Sequence, residues 1–227
     1  MITKLDLTEL LDQTFFGIDT LTMLGDVEDF IEFSERNIGL QKNREFRRAE
    51  QECNNAKFDA PRLEGQYRNQ ILESVEFRFE VSLKQRVRYA ALTTLITTIE
   101  WVLLALKKRA SFNFPEKPSK KSDVVHILSV FNEKAALALE QEIQILETLI
   151  QIRNCIVHAA GLLASYQYES ELRQRLTLLS GVKVSNLNFL GESIEIETGF
   201  LEGLIKDVRR WLPGLEKEVS QQGFLCK

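Results

Sequence analysis

The segment YAALTTLITTIEWVLLAL, residues 89–106, is the most apolar stretch of the chain. Its length is close to that of a membrane-spanning helix. It nevertheless contains four threonines and one acid, Glu100, and basic residues flank it on both sides. Because a charged side chain at mid-span is costly in lipid, the pattern favours the buried core helix of a globular protein over a membrane span.

A helical pattern extends well beyond this segment. Apolar residues recur at close to the helical period from Arg62 to Arg109, and Pro61 suits the first turn of that helix. Its second half is apolar on all sides, which predicts a position at the centre of a bundle. Good helix formers dominate the composition, and 4 Pro and 11 Gly are too few for a sandwich or barrel. We therefore predict an all-α bundle with long central helices.

Before this run, residues 1–60 resemble an N-terminal helical arm. We expect one amphipathic helix to end at Gly25-Asp26 and a second helix to begin at Asp26. The polar segment at residues 41–58 is either a long solvated helix or a mobile arm. The predicted organisation is thus an arm over 1–60 and a helical bundle over 61–227, which suits a chain of 227 residues.

After Arg109 the sequence contains several patterns that predict turns between shorter elements. Residues 111–121 predict a loop, and Ser122-Asp123 can cap a short helix over Val124–Phe131. A break near Asn132 precedes a predicted long helix over 134–168. Alternating residues at about 181–198 predict a small β-hairpin, and a last helix over 200–212 should stop at Pro213-Gly214.

The charge and the cysteine content of the chain narrow its possible functions. A net charge of -4 counts against a high-affinity, sequence-blind DNA-binding protein, but less against an enzyme that contacts a few phosphates in a local cleft. The three cysteines, Cys53, Cys155 and Cys226, are far apart and lack zinc spacing. Free thiols in a reducing compartment, together with acids where a signal peptide needs a basic region, predict a cytoplasmic protein.

Only two histidines are available for proton transfer at neutral pH. His126 has apolar neighbours in a short helix, which favours a structural role. His158 lies in QIRNCIVHAAG, residues 151–161, with Arg153 and Asn154 shortly before it. On a regular helix Asn154 and His158 share a face, and Arg153 lies about 140° from His158. The small residues after His158 would let a partner approach closely.

The pattern of an arginine, a polar residue directly after it and a histidine four residues further resembles the motif of the HEPN superfamily. The resemblance covers roughly residues 62–212. It implies a helical bundle with the motif on a late helix, and a dimeric endoribonuclease that needs no metal ion. In this chain the catalytic residues would be Arg153, Asn154 and His158. Glu100 would support them by pairing with Arg153 or His158, or would instead lie exposed at a groove or pair elsewhere.

The chemistry of RNA cleavage fits such a set. RNA supplies its own nucleophile, the 2′-hydroxyl, so the enzyme needs a base, an acid and positive donors for the phosphorane. One imidazole can fill only one proton-transfer role at a time, whereas a two-fold dimer brings two copies of His158 and Arg153 into one cleft. The expected products carry a 2′,3′-cyclic phosphate and a 5′-hydroxyl.

A basic cluster follows the apolar segment and supplies candidate RNA contacts: Lys107, Lys108, Arg109, Lys117, Lys120 and Lys121. A solvated loop is the alternative explanation of this cluster. We find no Gly-rich phosphate loop, no HExxH and no carboxylate cluster, so no metal and no other cofactor is expected.

Three alternatives to an active ribonuclease remain open. The chain could be a catalytically silent module that binds RNA, a nucleotide or a protein partner. It could also be a structural scaffold that assembles through residues 41–58. Finally, the motif could be a polar cluster in which Arg153 pairs with Glu147 or Glu100. For an active enzyme, the resemblance implies a toxin or defence role, with RNA, a second copy of the chain and an antitoxin protein as partners. The acid within the apolar segment predicts that no membrane is involved.

Overall fold

The structure, a computed structural model, describes residues 7–56, 61–119, 121–188 and 191–226, and only the backbone of residues 7–18, 61, 187 and 188 among them. It confirms the all-α class, with one small hairpin before the last helix. The elements in chain order are α1 (Leu7–Asn55), α2 (Pro61–Glu76), a π-helical segment (Phe77–Leu83), α3 (Lys84–Arg109), α4 (Asp123–Ala135), α5 (Glu140–Ala159), a 3-10 turn (Leu163–Ser165), α6 (Glu169–Leu176), β1 (Val182–Asn188), β2 (Gly191–Ile196) and α7 (Phe200–Gln221).

The predicted run from Arg62 to Arg109 is confirmed as one continuous helix made of α2, the π-helical segment and α3. By length and composition it is the one described helix that could cross a membrane, and half of its most apolar window is buried inside the protein. The buried side of α3 packs against α1, α4, α5 and α7 through fully buried residues: Leu92, Leu95, Ile96, Ile99, Leu103 and Leu106.

α3 packs against α1, α4, α5 and α7, which agrees with its predicted position at the centre of the bundle, but one side of it stays open. Trp101 is 46% exposed and Leu104 is 43% exposed, and Thr97 lies on the same open face. Positions 97, 101 and 104 are three or four apart, so they form one stripe of the helix. The surrounding helices therefore cover the core side of α3 and leave this stripe at the surface.

α1 does not break at Gly25-Asp26, contrary to the prediction. A glycine inside a helix costs only about 1 kcal/mol relative to alanine. Leu24 and Val27 on either side of it are buried in the main core, and their burial offsets that cost. The segment at residues 41–58 is helical as far as Asn55, in agreement with the solvated-helix alternative. Residues 57–60, where the arm was predicted to meet the bundle, lie outside the described residues.

The long helix predicted over 134–168 is shorter at both ends. α4 continues to Ala135 and ends at Ala136, which adopts a left-handed conformation. The Asn132 side chain then accepts a hydrogen bond from the backbone nitrogen of Leu139 (2.8 Å), which starts the turn into α5. The predicted cap of α4 is confirmed, because the Ser122 hydroxyl accepts from the backbone nitrogen of Val125.

The predicted hairpin is confirmed as the antiparallel pair β1 and β2, and it is fixed to α3 by buried polar contacts. Gln85 donates to the carbonyl of Ile196 (2.8 Å) and accepts from the backbone nitrogen of the same residue (3.0 Å). Arg88 donates to the same carbonyl and forms an ion pair with Glu35 of α1. These contacts satisfy the edge of β2 and tie the hairpin, α3 and α1 together.

The last helix does not stop at Pro213-Gly214, contrary to the prediction. α7 continues through Pro213 to Gln221. The apolar period continues beyond the proline, because Leu212, Leu215 and Val219 are all buried in the core. Burial of this face compensates for the backbone hydrogen bond that a proline cannot make.

Because Pro213 lies inside a continuous helix, Pro213→Ala should stabilise the protein. Proline in a helix interior costs about 3 kcal/mol relative to alanine, and the added flexibility of the unfolded chain returns up to about 1 kcal/mol of that. We expect the free energy of unfolding to rise by about 2 kcal/mol in a denaturant titration. Gly214→Ala, a helical position where a new Cβ has open space, should add a smaller gain. A loss of stability in both variants would mean that the helix ends at residue 212.

Candidate functional site

The motif occupies the last two turns of α5, and the end of this helix is fixed by its contact with α3. Ala160 and Gly161 adopt left-handed conformations, and the Gly161 nitrogen donates to the carbonyl of Cys155 (3.1 Å). A Cβ at Gly161 would lie 2.6 Å from the Tyr89 hydroxyl, so only glycine fits against this ring. The sequence pointed to close approach at Gly161, but it did not identify Tyr89 as the residue that approaches.

His158 and Asn154 lie on the open side of α5. His158 is exposed, Asn154 is half-buried, and the neighbouring Val157 is 53% exposed. Within the described part of the chain, neither the imidazole nor the Asn154 amide has a hydrogen-bond partner. Both side chains are therefore available to a ligand or to a second protein molecule, as their spacing on one helix face predicted.

Arg153 points instead toward α3, where its Nη2 lies 2.6 Å from Oε1 of Glu100. Both side chains are 26% exposed. Glu147, the other predicted partner of Arg153, forms an ion pair with Arg175. A guanidinium carries five N–H donors, and this contact uses one nitrogen, so the others remain able to bind an anion. The predicted pairing of Glu100 with Arg153 is confirmed.

One subunit does not bring all three motif residues together. Arg153 lies at the α3–α5 contact, whereas His158 is about 140° away around the helix, and no hydrogen bond joins them. The arrangement therefore offers two half-sites: a guanidinium held by a carboxylate, and an imidazole beside an amide. A phosphodiester that contacted both would lie across the outer edge of α5.

Cys155, between the motif residues in sequence, faces the interior. It is fully buried, and its thiol approaches the carbonyl of Leu162 (3.8 Å). Burial raises the pKa of this thiol to about 11, so it stays protonated at neutral pH. Nucleophilic catalysis by Cys155 is thereby disfavoured, and the motif's chemistry rests on its nitrogen groups.

His126 has the structural role that its apolar neighbours predicted. The ring is 7% exposed, and its Nε2 donates to the carbonyl of Pro115 (3.0 Å). This bond anchors the loop that follows α3 to α4.

The basic cluster divides into paired and unpaired cations. Arg109 forms an ion pair with Glu216, Lys117 with Asp123, and Lys121 donates to the Ser129 hydroxyl (2.8 Å). Lys107 lies over the Phe114 ring, 5.3 Å from its centroid, and Lys108 is exposed. Lys120 lies outside the described residues. Of the six candidate RNA contacts, Lys107 and Lys108 are thus the two described cations without a carboxylate or hydroxyl partner.

A cavity of about 250 Å³ lies between α3, α5 and α7, and no pattern in the sequence pointed to it. Its walls combine apolar side chains with a charged rim: Ile99, Gln141, Glu142, Ile145, Leu146, Leu149, Leu204, Asp207, Val208, Arg210 and Trp211. None of the motif residues lines it. Leu149 and His158 are nine positions apart, which places them on opposite sides of α5. The cavity and the motif are therefore separate features.

Within residues 19–226, as far as their side chains are described, no three His, Cys, Asp or Glu side chains gather in a way that could hold a metal ion. In comparisons with known proteins, no family model, no curated protein and no solved structure matches this chain.

Proposed function

We propose that the protein is a metal-independent endoribonuclease that acts as a dimer through Arg153, Asn154 and His158. The observation that carries this proposal is that His158 and Asn154 are accessible on one face of α5, while a carboxylate holds Arg153 in place on another side of the same helix. The resemblance of the motif to the HEPN superfamily supports the same function. A buried His158 would have argued against it.

The proposed reaction is an internal transfer at phosphorus. The 2′-oxygen attacks the adjacent phosphorus, its proton passes to one imidazole, and the bond from phosphorus to the 5′-oxygen breaks. A second, protonated imidazole gives its proton to the departing 5′-oxygen. The chain ends that result carry a 2′,3′-cyclic phosphate and a 5′-hydroxyl, and no water is consumed in this step.

Arg153 would stabilise the negative charge of the phosphorane. Its contact with Glu100 fixes one edge of the guanidinium and leaves donors on the other edge for two phosphate oxygens. Asn154, one turn before His158, would orient the imidazole or the phosphate. Glu100 touches neither substrate nor reacting atoms in this scheme, so it is a positioning residue.

A second copy of the chain would complete the site. Each subunit supplies one imidazole to a reaction that needs both an acid and a base, and Arg153 lies apart from His158 on its own helix. Two-fold pairing of the exposed edges of α5 would place Arg153 of one subunit near His158 of its partner. Of the small residues after His158, Ala160 is exposed and would allow that approach, whereas Ala159 and Gly161 are buried within their own subunit.

A catalytically silent RNA-binding module is the second candidate. The Glu100–Arg153 pair favours it, because the carboxylate weakens the stabilisation that Arg153 can give to a phosphorane, while the remaining donors of the guanidinium can still contact a phosphate. If the protein is an active ribonuclease, its resemblance to the HEPN superfamily further suggests a toxin or defence protein of the cytoplasm. An antitoxin protein would then restrain its activity.

A cleavage assay in EDTA separates these candidates. The purified protein is incubated with a mixture of single-stranded RNAs, and the new ends are tested for a 5′-hydroxyl by enzymatic phosphorylation and for a cyclic phosphate by mass. An active ribonuclease produces both ends without divalent metal. Binding without cleavage, weakened by Arg153→Ala, would establish the silent module instead, and cleavage that requires a divalent metal would refute the proposed mechanism.

Glu100→Gln should lower cleavage by about tenfold, mainly through kcat, because the amide keeps the shape but loosens the guanidinium from its working position. Single-turnover kinetics at saturating RNA would measure this change. Glu147→Gln is the matched control, since it removes an ion pair of the same helix, that with Arg175, at a distance from the motif. An increase in activity for Glu100→Gln would show that the carboxylate competes with phosphate rather than positioning Arg153.

A further inference from the structure

The open stripe of α3 has a composition suited to unpaired RNA. Its exposed positions recur every three or four residues along the helix: Thr94, Thr97, Trp101, Leu104 and Lys108. The indole of Trp101 is 46% exposed in the middle of this stripe, directly after Glu100 in the sequence. An accessible aromatic ring close to cations is the combination that single-stranded nucleic acids contact by base stacking.

The charges along this stripe favour a polyanion. Lys107 and Lys108 lie at its end, and no described carboxylate pairs with either of them. Glu100 is the one acidic residue of α3, and Arg153 neutralises it. Within α3, the exposed end of the stripe thus carries two lysines and no unpaired acid, in a protein whose net charge is -4.

The distance from Trp101 to Lys108 matches the length of a short RNA strand. Lys108 is seven residues beyond Trp101, or about 10 Å along the helix axis. A stacked strand advances about 3.4 Å per nucleotide, so about three nucleotides span the distance from the indole to Lys108. Glu100 and Arg153 are level with Trp101, which places Arg153 at the other end of the same span.

We propose that this stripe, from Trp101 to Lys108, is the track along which single-stranded RNA reaches Arg153 and His158. Trp101 stacks on one unpaired base, and Lys107 and Lys108 hold phosphates about three nucleotides away. This inference rests on the proposed function and adds to it the substrate class, an unpaired strand. Duplex RNA cannot use the track, because its bases are already stacked and paired.

Fluorescence tests the track without cleavage. Trp211→Phe leaves Trp101 as the single tryptophan, and a 2′-O-methyl oligouridine, which lacks the nucleophile, serves as the probe. We expect the oligomer to quench Trp101, whereas a duplex of the same length does not. Lys107→Ala combined with Lys108→Ala should raise the dissociation constant about tenfold or more, and should reduce the salt slope by about 0.7 for each phosphate that a lysine no longer neutralises. Arg210 is an exposed arginine of α7, and Arg210→Ala is the matched control. It should change neither the dissociation constant nor the salt slope.

The outcomes distinguish the track from the proposed function. Quenching without any cleavage of ordinary RNA keeps the track and refutes the ribonuclease. Cleavage without quenching, or quenching that the lysine variants leave unchanged, overturns the track while the ribonuclease stands. Trp101→Ala is compared with Trp101→Phe by light scattering: a loss of dimer mass confined to Trp101→Ala would assign the stripe to a subunit contact and overturn the track.

Discussion

Replacing His158 with alanine is expected to lower RNA cleavage by about 10²- to 10⁴-fold while leaving the fold intact. The magnitude is that of removing a general acid or base from a proton-transfer step. In a symmetric cleft the substitution removes both imidazoles at once, so the acid and the base roles are lost together. The fold should survive because His158 is exposed and makes no hydrogen bond within the described chain. Initial rates on single-stranded RNA in EDTA would measure the loss.

Leu178→Ala is the control for this experiment, because Leu178 is 62% exposed and lies outside α5 and the proposed chemistry. Its cleavage rate should equal that of the unmodified protein within a factor of about two. Far-ultraviolet circular dichroism of both variants would verify that α5 is intact. Cleavage that survives His158→Ala at the original rate would exclude the imidazole from the reaction.

Gly161→Ala is expected to reduce the free energy of unfolding by about 2–4 kcal/mol, the largest stability effect we predict for one added methyl group. Gly161 has a φ of +82°, which a residue with a side chain adopts at a cost. The new Cβ would also lie 2.6 Å from the Tyr89 hydroxyl, which donates to the carbonyl of Ile194. Relief of the clash therefore disturbs the contact of α3 with the hairpin. Urea unfolding followed by circular dichroism would measure the loss.

Gly199→Ala separates the two causes. Gly199 has a φ of +85°, close to that of Gly161, but a Cβ there has no atom within 4 Å. It should therefore show the conformational cost alone, about 1–2 kcal/mol. Equal losses of unfolding free energy in Gly161→Ala and Gly199→Ala would mean that Tyr89 moves away freely and does not fix the end of α5.

The features that the sequence predicted correctly are those determined by residues close together in the chain. The cap at Ser122 and the alternation of the hairpin are local patterns. The helix from Arg62 to Arg109 follows from an unbroken apolar period. At the motif, the spacing of Asn154 and His158 was sufficient to place them on one face.

The errors arose where tertiary packing decides. Gly25 and Pro213 weaken a helix locally, yet burial of the residues around them keeps α1 and α7 continuous. The open stripe around Trp101 could not be predicted, because it depends on which helices cover α3. The partner of Arg153 was predicted as either of two acids, and only the packing of α3 against α5 selects Glu100.

The most direct test of the shared cleft is chemical cross-linking between the two copies of residue 158. His158→Cys is prepared together with Cys226→Ser, which removes the one exposed native thiol in the described part of the chain, and is treated with a short bismaleimide. If the two copies face one phosphodiester, the protein becomes a covalent dimer, whereas Arg210→Cys in the same background stays uncoupled. A monomer by light scattering at micromolar concentration, or a dimer in which the cysteines at 158 fail to couple, would contradict the two-subunit site.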